Sequence, residues 1–328
     1  AKSKFCETSE IKSMFIEQGI VAGSKFWKYL VGFLLIGLAS FFGQMPLLIG
    51  LLYETMVTGK AYPTDNDAIM RFFEPNLMLF LILISFVFTL FGVYFVIRYL
   101  HNQSMLSLTT SRAKIDWNRI FFSFSIWAVF TVASTVAFYL SSPNDFVINF
   151  KPIPFAILVL IGTLLIPIQT SAEEYVFRGY LMQGFATLVK NKWFPLVMTS
   201  VIFGLMHLSN PEVSKMGNII FVYYIGTGLF LGIITLMDEG MELALGFHAA
   251  NNLVSALLVT TDWTAFQTHS ILKDISEPSA GVDVVAPVFI VYPILLFIFS
   301  KKYNWTNWKE KLTGKIVVPA STNNFNSI

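Results

Sequence analysis

Long, nearly charge-free apolar runs recur along this 328-residue chain, and they decide most of what it can fold into. About 20 helical residues cross the hydrocarbon core of a bilayer. Inside that core the backbone must satisfy its own hydrogen bonds, which makes a helix the form for such a run. The runs fall near 30–53, 78–99, 119–141, 153–172, 195–209, 217–237, 241–260 and 284–300. The fifth is short, and the seventh contains Glu242, His248 and two asparagines, so hydropathy supports these two least. Charged residues make up 13% of the chain, about half of what a soluble domain carries. The expected fold class is therefore all-α, a polytopic membrane helix bundle with about eight transmembrane helices. A tail over 1–29, three spans over 30–150, a core over 151–302 that carries the polar motifs and a tail over 303–328 complete the division.

The distribution of Lys and Arg gives the orientation. With the N-terminus in the cytoplasm, 17 of the 22 fall in inner segments and five (Lys60, Arg71, Lys151, Lys215, Lys273) fall outside. That asymmetry follows the positive-inside rule and predicts a multi-pass cell-membrane protein with both termini cytoplasmic. The net charge of +2 gives no ground for a nucleic-acid partner. A single cysteine, Cys6, excludes intramolecular disulfides and CxxC metal sites. The first 25 residues lack the apolar stretch of a secretory signal, so no cleavage is expected. Residues 10–24, with Ile11, Met14 and Phe15, suit either an interfacial helix or a packed tail, and 314–328 read as a disordered tail. Gly228 and Gly232 form a small-xxx-small pair suited to close helix contact.

Ionisable groups inside a bilayer cost about 2.5–3.5 kcal/mol each on insertion scales, so they need a reason. Three such places occur, all in the second half of the chain: Glu173-Glu174 with Arg178, then His207, then His248 with Asn252. Glu174 and Arg178 stand at i and i+4 in the favourable order for an intrahelical ion pair. Glu173 is rotated about 100° from its neighbour and is left free to face a cavity. His248 and Asn252 also stand at i and i+4 and project from one helix face. Two imidazoles on separate helices, an asparagine and a free carboxylate resemble a metal site with an open position. A zinc-like ion would lower the pKa of bound water and polarise a carbonyl, and Glu173 would serve as general base for that water. Asn252 suits either a ligand position or a donor to the developing oxyanion. His101 and His269 fall in loops with no expected role.

The order Glu173-Glu174-x-x-x-Arg178, Phe203-x-x-x-His207, His248-x-x-x-Asn252 resembles the signature of the CPBP family of intramembrane peptidases. That family includes the type II CAAX prenyl endopeptidases and bacterial Abi-like proteins. The resemblance spans about residues 155–260 and leaves 1–150 without a motif. It implies a helical fold with a cavity facing the cytoplasm, and a membrane-associated peptide or protein as substrate. It also implies catalytic roles for Glu173, His207, His248 and Asn252, structural support from Glu174, Arg178 and Phe203, and a divalent metal, zinc by preference, served by His207, His248 and Asn252. Two other classes compete: a proton- or ion-coupled transporter using the same groups as a relay, and a catalytically silent immunity or scaffold protein. One mismatch accompanies the reading. A fourth span ending at 172 puts Glu173 at the inner face, with His248 about 10 Å inside it and His207 about 20 Å from Pro195.

Overall fold

The computed structural model describes residues 14–22, 24–278 and 281–316. Cys6, Ile11 and residues 317–328 of the expected tail lie outside the described residues. Among those described, six helices are long and apolar enough to cross a membrane: α1 (Phe26–Val57), α2 (Pro75–Leu100), α3 (Trp117–Ser141), α4 (Pro152–Val189), α6 (Pro211–Asp238) and α8 (Val284–Lys302). The two runs least supported by hydropathy fold as shorter helices, α5 (Trp193–Leu205) and α7 (Glu242–Leu258). At 13 residues, α5 extends about 20 Å, short of the roughly 30 Å hydrocarbon core. The all-α membrane class stands. Its starts are chemically marked. Pro75 and Pro152 take early positions where a missing N–H costs nothing, and Glu74 and Asp116 cap α2 and α3 by accepting from the amides of Leu77 and Asn118.

The fourth helix departs from expectation. Hydropathy ends its run at 172, yet the helix continues through a π-helical stretch, Tyr175–Leu181, to Val189. The charges do not end it because Glu174 and Arg178 answer each other inside the bundle. Glu173 consequently lies inside the helix, about 24 Å along it from Val189, and not at the end of a span as the hydropathy run implied. Arg178 likewise leaves the inner loop in which it was counted, without changing the direction of the charge asymmetry. The π stretch is held by the segment that carries no motif. Tyr180 donates to the carbonyls of Lys28 and Tyr29, Thr109 meets the Tyr175 hydroxyl at 2.8 Å, and Gln183 bonds Gln103 and the Phe15 carbonyl. Phe15 and Ile16 are buried there, so this part of the N-terminal segment is packed against protein.

Helix α6 is central: 61% of its apolar window is buried, against 11–33% in the other five long helices. Gly228 and Gly232 make that possible. A side chain at Gly228 would meet the Ser200 backbone, and one at Gly232 would meet Leu196, so α6 lies directly on α5 as the small-residue pair predicts. Helix α7 packs on α3 and α4, and α2 joins α1 to α4. Apolar side chains such as Leu34, Phe91, Val129, Phe138 and Leu160 remain exposed on the outside of the bundle, where a bilayer would cover them. Strands Phe146–Ile148 (β1), Val259–Thr260 (β2) and Leu272–Asp274 (β3) form a small sheet in the order β1-β3-β2. It ties together two loops that the charge count places on the same outer side.

A saturated ion cluster closes the opposite end. Arg112 bonds Asp238 and Glu242 at 3.0 Å each, Arg119 pairs with Asp238, and the Trp305 indole donates to Asp238 at 3.1 Å. The Asp116 amide reaches the remaining oxygen of Glu242. Neither loop histidine is idle. His101 is buried between Ser24 at 2.7 Å and Tyr180 at 3.0 Å, and His269 meets Glu74 at 2.6 Å.

Candidate active site

The polar residues of α4 and α7 meet where the two helices pack. Glu174 is fully buried. Its Oε1 accepts from the Arg178 guanidinium at 3.2 Å and from Nδ1 of His248 at 2.7 Å. Arg178, equally buried, also donates to the carbonyl of Gly228 on α6 at 3.2 Å and lies 4.4 Å over the Phe203 ring. The intrahelical pair read from the i, i+4 spacing is therefore real, and it does more than brace α4. It links α4 to α5, α6 and α7 and holds the His248 ring. Oε2 of Glu174 and Nε of Arg178 are buried with no partner among the described residues.

Glu173 is placed differently. Its side chain keeps 17% exposure. Gln169, one turn earlier on α4, donates to its Oε1 at 2.5 Å. Its Oε2 faces Nε2 of His248 at 3.6 Å, beyond hydrogen-bond range. Because Nδ1 of His248 is committed to Glu174, its other nitrogen stays uncommitted and turned towards Glu173. Asn252, one turn along from His248, donates to Oε1 of Gln169 at 3.1 Å and accepts from Asn251 at 3.0 Å. Glu173, His248 and Asn252 thus share one site.

His207 stands at its edge, on the turn after α5. Its Nδ1 bonds the Phe203 carbonyl at 2.7 Å and its ring stacks on Tyr224 at 4.3 Å. Phe203 borders both imidazoles, with ring centroids 4.8 Å from His207 and 6.0 Å from His248. The turn is also tied to the 58–74 segment, since Asn66 donates to the Ser209 carbonyl at 2.7 Å. Both histidines therefore have Nδ1 fixed by an acceptor and Nε2 uncommitted, which is how metal-binding imidazoles are commonly oriented. Even so, no three His, Cys, Asp or Glu side chains among the described residues group as a set that would hold an ion.

Sequence reasoning missed Gln169, Asn251, Trp127 and Tyr224. Gln169 alone carried a usable signal: an amide four residues before Glu173, inside an apolar run.

The segment that carries this site resembles a known family. Residues 152–254 match the model of the family described as type II CAAX prenyl endopeptidase Rce1-like. The site-bearing core is similar to that family. The match begins at the first residue of α4 and ends two residues after Asn252, so it covers every motif position. Rce1-like proteins are a peptidase family, in agreement with the resemblance read from the motifs. The uncharacterized protein YyaK of Bacillus subtilis (strain 168) is 27% identical over 242 residues, covering 74% of this chain and 80% of that protein. No solved structure matches the chain.

Proposed function

We propose that this chain hydrolyses a peptide bond in a membrane-associated peptide or protein, with Glu173 as the base that activates water. The observation that carries the reading is the contrast between adjacent carboxylates. Glu174 is fully sealed and tied to Arg178 and His248, whereas Glu173 keeps 17% exposure and turns an unbonded oxygen towards an uncommitted imidazole nitrogen. In the reaction, Oε2 of Glu173 takes a proton from water whose oxygen attacks the peptide carbonyl carbon. The lone pair of His248 Nε2 orients that water through its second hydrogen. Asn252 retains an amide hydrogen beyond its bond to Gln169, available to the oxyanion that forms. As the carbon–nitrogen bond breaks, the proton held on Glu173 passes to the leaving amine.

The donor chemistry of His207 and His248 suits a divalent ion such as zinc, which these two would hold through Nε2, the lone pair of His248 then serving the ion in place of the water. When bound, the ion would supply polarisation of the carbonyl and a more acidic water. Among the described residues no third His, Cys, Asp or Glu completes such a set, and the steps above do not pass through an ion. Access from the cytoplasm is supported by the position of His248, about 9 Å along α7 from its inner end at Glu242. Cysteine labelling at Glu173 and His207 from either side of the membrane checks this.

The central test is cleavage of a fluorogenic peptide library by the protein in lipid nanodiscs, alongside elemental analysis for bound metal. Glu173→Gln is expected to abolish turnover while remaining folded, and His248→Ala to lose any bound zinc. Near-normal turnover in Glu173→Gln would remove Glu173 as the base.

A further inference from the structure

Four hydrogen bonds in series run from helix α3 to the Glu173 carboxylate. The Trp127 indole N–H donates to Oδ1 of Asn251 at 3.0 Å, and Nδ2 of Asn251 donates to Oδ1 of Asn252 at 3.0 Å. Nδ2 of Asn252 then donates to Oε1 of Gln169 at 3.1 Å, and Nε2 of Gln169 donates to Oε1 of Glu173 at 2.5 Å. Every member outside the carboxylate is an amide or an indole, so none titrates in an ordinary pH range.

The direction of this chain is fixed at both ends. An indole nitrogen only donates, and an ionised carboxylate only accepts. Between them each amide has one orientation that satisfies both of its neighbours, and reversing any of the three sets donor against donor and acceptor against acceptor. Trp127 is buried and held by Phe130, Phe247 and Tyr292, so its N–H does not swing away. Gln169 is buried as well. The consequence at the far end is specific. Gln169 occupies Oε1 of Glu173, which leaves Oε2 as the oxygen turned to His248.

We propose that Gln169 is a positioning residue for the Glu173 base, and that the Asn252–Asn251–Trp127 chain sets the orientation in which it acts. The proposal rests on the reading of Glu173 as the base. It gives Asn252 a task besides its contact with substrate, and it makes Trp127, on a helix outside the matched segment, part of the same device.

The experiment compares Gln169→Met, Trp127→Phe and the double variant in nanodiscs. Infrared spectra, with Glu173→Gln subtracted to isolate the Glu173 carboxylate bands, read the base without turnover. The bands are expected to shift in Gln169→Met and, by less, in Trp127→Phe, with Trp127→Phe adding nothing once Gln169 is gone. Peptide turnover should follow the same pattern. Gln169→Met would lower kcat by about 10- to 100-fold, the worth of one hydrogen bond to a charged group, at unchanged KM. Trp127→Phe would lower it by about 2- to 10-fold, the worth of one neutral hydrogen bond. A purely structural role would instead lower the folded fraction, leave the bands in place and give additive effects. Unshifted Glu173 bands in Gln169→Met, or additive effects in the double variant, would overturn the proposal. Undiminished turnover in Glu173→Gln would overturn the base reading, and the infrared pattern would still decide whether the chain orients this carboxylate.

Discussion

Two clusters of buried acids and arginines sit in this bundle, and they are built on opposite principles. At the end of the bundle near Glu242, all four oxygens of Asp238 and Glu242 are taken by Arg112, Arg119, Trp305 and the Asp116 amide. At the Glu173 site, the one arginine pairs with Glu174 alone, Oε2 of Glu174 has no partner among the described residues, and Oε2 of Glu173 lies 3.6 Å from an imidazole nitrogen. A saturated cluster is a clamp, since removing any member strands another. An unsaturated one in a membrane interior is costly, and its persistence points to chemistry. The difference teaches that burial of charge does not identify a reacting site. Under the proposed function, the unspent hydrogen-bonding capacity does.

The contrast breaks most sharply through Glu173. Glu173→Gln should lower kcat by at least about 10²- to 10⁴-fold, the usual contribution of a general base, with little change in thermal unfolding. Next comes the buried pair beside it. Arg178→Ala strands Glu174 and should cost about 3–5 kcal/mol of stability, seen as loss of folded protein in detergent. The saturated cluster should answer differently. Asp238→Asn should cost about 1–3 kcal/mol through weakened and unpaired donors, yet leave kcat per folded molecule unchanged. A drop in kcat comparable to that of Glu173→Gln would erase the distinction between the clusters.

The smallest effect concerns His101, just beyond the end of α2. Burial, aided by the charge of Lys28, pushes its imidazole down to about 4 from an ordinary 6.5. Its unfolded form therefore binds the proton first. Stability from this residue is full above about pH 6.5 and is lost as pH falls towards about 4. A pH series of unfolding midpoints should show that loss in the wild type and less of it in His101→Gln.

Much of this was legible in the sequence. Six apolar runs became helices long enough to span, and the spacing of Glu174 and Arg178 gave their ion pair before any geometry was known. The extent of α4 was not legible, because hydropathy counts Glu174 and Arg178 as separate charges and has no means of knowing that they neutralise each other. His248 as a partner of Glu174 escaped for a related reason: the two are 74 residues apart, and helical periodicity relates only neighbours on one helix. The same holds for Asn251 and Trp127. His101 was misjudged because a short loop at a helix end was taken as exposed, whereas Tyr29, Ser24 and Tyr180 enclose it.

The π-helical stretch Tyr175–Leu181 also governs how this chain tolerates changes in length. A π turn holds more residues than an α turn, as if one had been inserted and absorbed. Deleting one residue there, beyond Arg178, would let the stretch close into ordinary α-helix while both flanks kept their facing. A deletion elsewhere in α4 would turn one flank by about 100° against the other. Either Glu173 would swing from His248, or Gln183 from Phe15. Shortened relatives that keep the site should therefore carry their gap in this stretch, which makes it the expansion joint of the fourth helix.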